Sequence, residues 1–203
     1  SILVLVVVAL IGVPIFFLLR TKPTCSNGMM DGDETGVDCG GSCQRLCQME
    51  SLPLVIKGDP RVLLVATSTY EVVALFENPN TNGKILRAGY TINIYGEGNQ
   101  VPLGSIEGKV YVPKGSNFVV FEGPFTSDSV PVRATLEWDQ TSLVWQKDAT
   151  PVPELVVGQT AFSRLEPTPR LESFVRNPTL EGVQNIDLTA LLFDAGGNLV
   201  AAS

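Results

Sequence analysis

Beyond residue 60 the chain alternates apolar and polar positions. Tyr90, Ile92 and Ile94 stand against Thr91 and Asn93, and Val132, Ala134, Leu136 and Trp138 against Arg133, Thr135 and Glu137. A period of two marks strands with one buried face. It predicts strands near Val62–Thr67, Glu71–Phe76, Ala88–Tyr95, Gly108–Val112, Phe118–Phe121, Val132–Trp138 and Leu143–Gln146, parted by Gly-Asn, Pro-Lys-Gly and Gly-Pro turns. Seven short strands without a long amphipathic segment predict an immunoglobulin-like β-sandwich over residues 61–148. No cysteine pair crosses it, so its core must hold by packing; Phe76, Tyr90, Phe118 and Trp138 are the expected aromatic centre.

Part of this pattern occurs twice. Tyr70–Tyr95 and Pro169–Phe193 each read as an alternating run, an Asn-Pro corner, a polar loop and a second alternating run, and a Gly-Asn turn follows. Asn78-Pro79 maps on Asn177-Pro178 and Gly98-Asn99 on Gly197-Asn198, both at an offset of 99 residues. That period suits tandem sandwich domains rather than a short-repeat solenoid. Residues 149–154 read as a Pro-containing linker, and 155–203 as a second sandwich with strands at Leu155–Leu165, Leu171–Val175 and Ile186–Phe193 and a fourth starting at the end. The second sandwich is incomplete by this count. The natural chain is expected to continue for roughly 40–60 residues to fill a ~100-residue domain, or else a partner strand must complete it. In either Asn-Pro corner, proline ends a strand and asparagine starts the turn with its own side chain.

Ile2–Leu19 is an 18-residue run without a charge. As a helix it would cover roughly 27 Å, close to the ~30 Å hydrocarbon core, so residues 1–20 are expected to form a transmembrane helix. A signal-peptide core is shorter and ends in small residues, whereas Leu19-Arg20-Thr21-Lys22-Pro23 follows here. The chain opens on Ser1 inside this run, which suggests a fragment or processed form. Residues 51–60 read as a linker to the first sandwich.

Between anchor and linker, residues 21–50 form a cysteine-rich acidic module. Cys25, Cys39, Cys43 and Cys47 are the only cysteines, and the segment has almost no aliphatic residue from which to build a core. Disulfides, a metal or both must order it. The C-x13-C-x3-C-x3-C spacing is neither a zinc ribbon nor a C-x-x-C redox centre. Two disulfides are expected, in any of three connectivities, and they place everything after Arg20 in an oxidising, extracytoplasmic compartment. Asp31-x-Asp33-x-Thr35-Gly36 begins like an EF-hand loop, but Ser42 stands where a bidentate glutamate belongs. Two readings remain: a solvated acidic loop held by disulfides alone, or one calcium ion bound through some of Asn27, Asp31, Asp33, Glu34 and Asp38.

The spelling C-x-N-G-x-x-D-x-x-E-x-G-V-D-C-G-G-x-C-x-x-x-C, carried by Asn27-Gly28, Asp31, Glu34, Gly36–Gly41 and Cys43, resembles a short cysteine module of bacterial surface proteins. That resemblance implies secretion. The repeat, with Leu191-Leu192-Phe193-Asp194-Ala195-Gly196-Gly197-Asn198 in its second copy, is similar to the water-stress domain of late-embryogenesis-abundant group 2 proteins and the bacterial FxLYD domain. Copy one departs, with Gly96 in the aspartate position. The layout resembles single-pass surface proteins of candidate-phylum bacteria. It implies a fold and an address, with no catalytic residues.

Charge and composition narrow the function. A net charge of −7 argues against a nucleic-acid partner. The absence of histidine removes Ser-His-Asp and Cys-His catalysis and every histidine-containing zinc site. The expected function is that of a non-enzymatic, membrane-anchored, extracytoplasmic protein that presents a binding or spacer surface to a protein or envelope polymer. Two other readings are a subunit of a cell-surface assembly joined through its anchor and an open sheet edge, and an enzyme using carboxylates such as Asp128, Glu137 and Asp139.

Overall fold

Two strands of the first repeat supply more than half of its buried core, and each becomes the centre of a sheet. The structure, a computed structural model, describes residues 24–163, 170–183 and 186–203, so the expected membrane helix over residues 1–20 lies outside the described residues. No helix of the described residues is long and apolar enough to cross a membrane. The fold is all-β and antiparallel: β1 (Val55–Ile56), β2 (Arg61–Ala66), β3 (Thr69–Glu77), β4 (Gly83–Gly96), β5 (Gly104–Val112), β6 (Asn117–Thr126), β7 (Pro131–Trp138), β8 (Trp145–Lys147), β9 (Val156–Ser163), β10 (Arg170–Arg176), β11 (Leu191–Phe193) and β12 (Leu199–Ala202).

β3 pairs with β6 along its length on one side, and with β2 and β1 end to end on the other. β4 likewise pairs with β5 on one side and with β7 and β8 on the other. All seven strands expected in the first repeat are present within a few residues of their expected ends. The two sheets enclose one core, built from Val72, Ala74 and Phe76 of β3, Phe118 and Val120 of β6, Ala88, Tyr90, Ile92 and Ile94 of β4, and Val112, Ala134 and Trp145. Trp138 is its aromatic hub, with ring centroids 5.0 Å from Phe76, 6.0 Å from Tyr90 and 6.2 Å from Phe118. Tyr90 runs on past β5 to donate its hydroxyl to Glu122 Oε1 at 2.6 Å. Its ring passes Gly108 so closely that a Cβ there would lie 2.5 Å from Tyr90 Cζ, so only glycine fits at that point of β5.

Residues 51–60 do more than link. Val55–Ile56 pairs with β3, Leu54 packs against the core, and Leu52 exchanges backbone hydrogen bonds with the Asn80 side chain at 2.7 and 2.8 Å.

The second repeat folds as two hairpins, β9–β10 and β11–β12. Gly98 and Gly197 take the same left-handed turn, at φ 69° and 79°, as the repeat requires. Of the strand expected over Ile186–Phe193, only Leu191–Phe193 forms. β4, its counterpart, is held on both edges by β5, β7 and β8. β11 is paired only with β12 among the described residues, and Ile186 and Leu188 are exposed.

Candidate functional site

The densest chemistry in the described residues lies in the cysteine module and where it meets the first repeat. Cys25 bonds to Cys43 and Cys39 to Cys47, which selects one of the three connectivities. Bridges closing loops of 18 and 8 residues are each worth on the order of 3 kcal/mol by constraining the unfolded chain. The module needs that help, since its own apolar side chains Met29, Met30 and Val37 are exposed. Gly36 lies directly on the second bridge, where a Cβ would come within 2.9 Å of both Cys39 Sγ and Cys47 Sγ.

The five residues expected as calcium ligands are held together by the bridges, but they act mainly as acceptors for the module's own turns. Asp38 Oδ1 accepts the Asn27 amide at 2.8 Å, and its Oδ2 the Gly28 amide at 2.9 Å. Glu34 Oε2 accepts the Asp31 and Asp38 amides at 3.2 and 3.3 Å. Asn27 accepts from the Met29 amide and donates to Asp31 Oδ2. Asp33 Oδ1 accepts the Ser42 hydroxyl at 2.7 Å, which lowers its pKa. Asp31 Oδ1 is buried without a donor. Glu34 Oε1 has only Cys43 Sγ at 3.2 Å, and that sulfur, oxidised in its bridge, has no proton to give. Calcium wants six to eight oxygens. Among histidine, cysteine, aspartate and glutamate side chains, three come within 4.8 Å of one another at Cys25, Glu34 and Cys43, and both cysteines there are bridged. This arrangement uses the motif's asparagine, aspartate and glutamate as turn staples.

The module is seated on the edge of β8. Leu46 donates its amide to the Trp145 carbonyl at 3.1 Å, and Lys147 donates its own to the Gln44 carbonyl at 2.8 Å. The Gln44 side chain donates to the Lys147 carbonyl, and Lys147 Nζ to the Gly41 carbonyl. Gln44–Leu46 thus adds a short outer strand beside β8, with the Leu46 side chain buried among the core residues. Three isolated residues between two cysteines show no alternation, so the sequence carries no signal of this contact.

A second junction lies at the Asn-Pro corner. Asn78 is fully buried, and its side chain makes every hydrogen bond open to it. Nδ2 donates to the Gly83 and Pro113 carbonyls at 2.8 and 2.7 Å, while Oδ1 accepts the Asn80 amide and side chain at 2.9 and 2.8 Å. The turn expected at Asn78 is present, but the reach to Pro113 and the relay through Asn80 to Leu52 were not legible. Asn177 repeats the local turn only: it accepts the Thr179 amide at 2.9 Å and donates to the Glu181 carbonyl at 2.6 Å.

The third junction ties down the exit from β8. Asp148 forms ion pairs with Lys84 at 2.7 Å and Lys114 at 3.1 Å. Lys114 also donates to the Asp148 and Thr150 carbonyls, so the start of the expected linker 149–154 is anchored. The hydrogen bond from Lys84 holds the Asp148 carboxyl well below the usual carboxylate range, helped by Thr150 and Lys114, and the same bond raises the Lys84 pKa.

The carboxylates weighed for catalysis are not gathered. Asp128 and Glu137 are exposed, and Asp139 caps its turn by accepting the Thr141 amide and hydroxyl at 3.0 and 2.6 Å. No family model, no curated protein and no solved structure matches the chain.

Proposed function

We propose that this is a non-enzymatic, membrane-anchored protein of the cell envelope whose immunoglobulin-like sandwiches stand outside the cytoplasmic membrane and present a binding or spacing surface to a protein or an envelope polymer. The observation that carries the reading is the pair of bridges in a segment without an apolar core. Such a segment keeps its shape only where thiols stay oxidised. An uncharged run at Ile2–Leu19 precedes it directly and supplies the anchor in this reading. The seat of the module on β8 supports a spacer role, because it joins the segment next to the anchor to the first sandwich without a free hinge.

The experiment is to express the full chain in a bacterial host and fractionate the cells. The protein should sediment with membranes, be digested by protease added to intact spheroplasts, and show no alkylatable thiol before reduction. Free thiols together with protection from external protease would overturn the reading.

A further inference from the structure

The two bridges bracket the strand that caps the first sandwich. Gln44–Leu46 lies between Cys43, bonded to Cys25, and Cys47, bonded to Cys39. Of the four bridged cysteines, Cys43 and Cys47 are buried, Cys25 is exposed and Cys39 half-buried. A reducing thiolate therefore reaches Cys25 or Cys39 first, and the leaving thiolates form on Cys43 and Cys47, at the two ends of the capping strand.

We propose that the cysteine module is a thiol-sensitive cap: reduction of both bridges by a dithiol releases Gln44–Leu46 from β8 and withdraws Leu46 from the core, while the two sheets stay folded. Each bridge takes two electrons and two protons through a mixed disulfide, and leaves two cysteine thiols and one oxidised dithiol. Without the bridges the module has little to hold its shape, since Met29, Met30 and Val37 are each more than half exposed. Its staples at Glu34 and Asp38 join residues up to 11 apart, and these separations close only while the loop is tied. The sandwich has less at stake. Leu46 is one residue of the core, and the sheet contacts of β3 with β6 and β4 with β5 do not involve the module. Release leaves the Lys147 amide and the Trp145 carbonyl, now taken by Gln44 and Leu46, open at the sheet edge. Such an edge accepts an added strand.

Hydrogen exchange on the full chain in detergent, with and without dithiothreitol, tests this. Alkylation followed by mass measurement would establish that four thiols have formed. The amides of Leu46 and Lys147 should then lose at least tenfold in protection while that of Ala74, in β3, keeps its value. If Leu46 and Lys147 stay protected in the fully reduced protein, the bridges do not hold the cap. If Ala74 loses protection along with them, the bridges support the whole domain and there is no separate cap; either result overturns the proposal.

Discussion

Asn78 and Asn177 occupy equivalent places in the repeat, yet the surroundings give them different weights. Replacing Asn78 by alanine strands the Gly83 and Pro113 carbonyls and the Asn80 amide in a fully buried corner. Buried groups left without partners cost about 1–3 kcal/mol each, with some relief from relaxation, so Asn78→Ala should lower stability by about 3 kcal/mol. Asn177→Ala loses an exposed turn contact and should cost under about 1 kcal/mol. Chemical denaturation of the two variants makes the comparison, and equal effects would remove Asn78 from its place as a hub. At this scale the sequence was legible where a residue acts locally. The Asx turn at Asn78 follows from Asn-Pro chemistry, as the acceptor at Asp194 does from Asp-x-x-Gly, where its Oδ1 takes the Gly196 and Asn198 amides at 2.8 Å. Gly96, its counterpart in the first copy, has no side chain to do so. The bond from Asn78 to Pro113 spans 35 residues, and nothing in the local spelling announces such a partner.

Elements of six or more residues could be read from alternation, whereas β1 and the added strand at Gln44–Leu46 could not. Six of the seven strands of the first repeat have enough positions to show a period, and three-residue β8 was reached only within the longer expected run Leu143–Gln146. What fixes such short pieces is contact across the chain, and the exit from β8 is another case. There the Asp148 carboxylate, with its side chain 10% exposed, pairs with Lys84 and Lys114. Asp148→Ala leaves both ammonium groups without their counter-charge and should cost about 3 kcal/mol near neutral pH. The pH dependence has a definite sign. The folded-state pKa of Asp148 is depressed, so its contribution is fully present above the ordinary value of about 3.9 and declines as pH falls through the folded value. Lys84 is shifted upward, so its share is present below about 10.4 and is lost as pH rises through its folded value. Denaturation midpoints of the wild type and Asp148→Ala should therefore differ most between about pH 4 and pH 10 and converge towards acid. A difference that persists unchanged down to pH 2 would show that the ion pairs are not its origin.

In the molecule as a whole, β3 is the element that does not fit a simple two-layer scheme. Val72, Val73, Ala74, Leu75 and Phe76 are apolar without a break, so the strand has an apolar residue on both faces at every step. One face, Val72, Ala74 and Phe76, belongs to the core. Val73 points the other way and is still only 2% exposed. A cleft on that face is lined by Arg61, Val73 and Leu75 on one wall and by Leu191, Phe193 and Leu199 on the other, and β12 lies against β2. The hairpin β11–β12 of the second repeat therefore covers the outer face of the first, and the repeats meet through side chains as well as through the link after β8. A strand apolar on both faces is a sequence feature that announces a second cover, though not which segment supplies it. Through this contact Val73 and Leu199 are energetically coupled. Single substitutions to alanine and the double variant form a cycle, and residues that share a contact give interaction energies of roughly 0.5–3 kcal/mol, whereas separated ones add within about 0.3–0.5 kcal/mol. The expected coupling is about 0.5–1 kcal/mol, read from denaturation of the full chain. Additive effects would mean that the repeats behave as separate beads and that Val73 is buried by its own sheet alone.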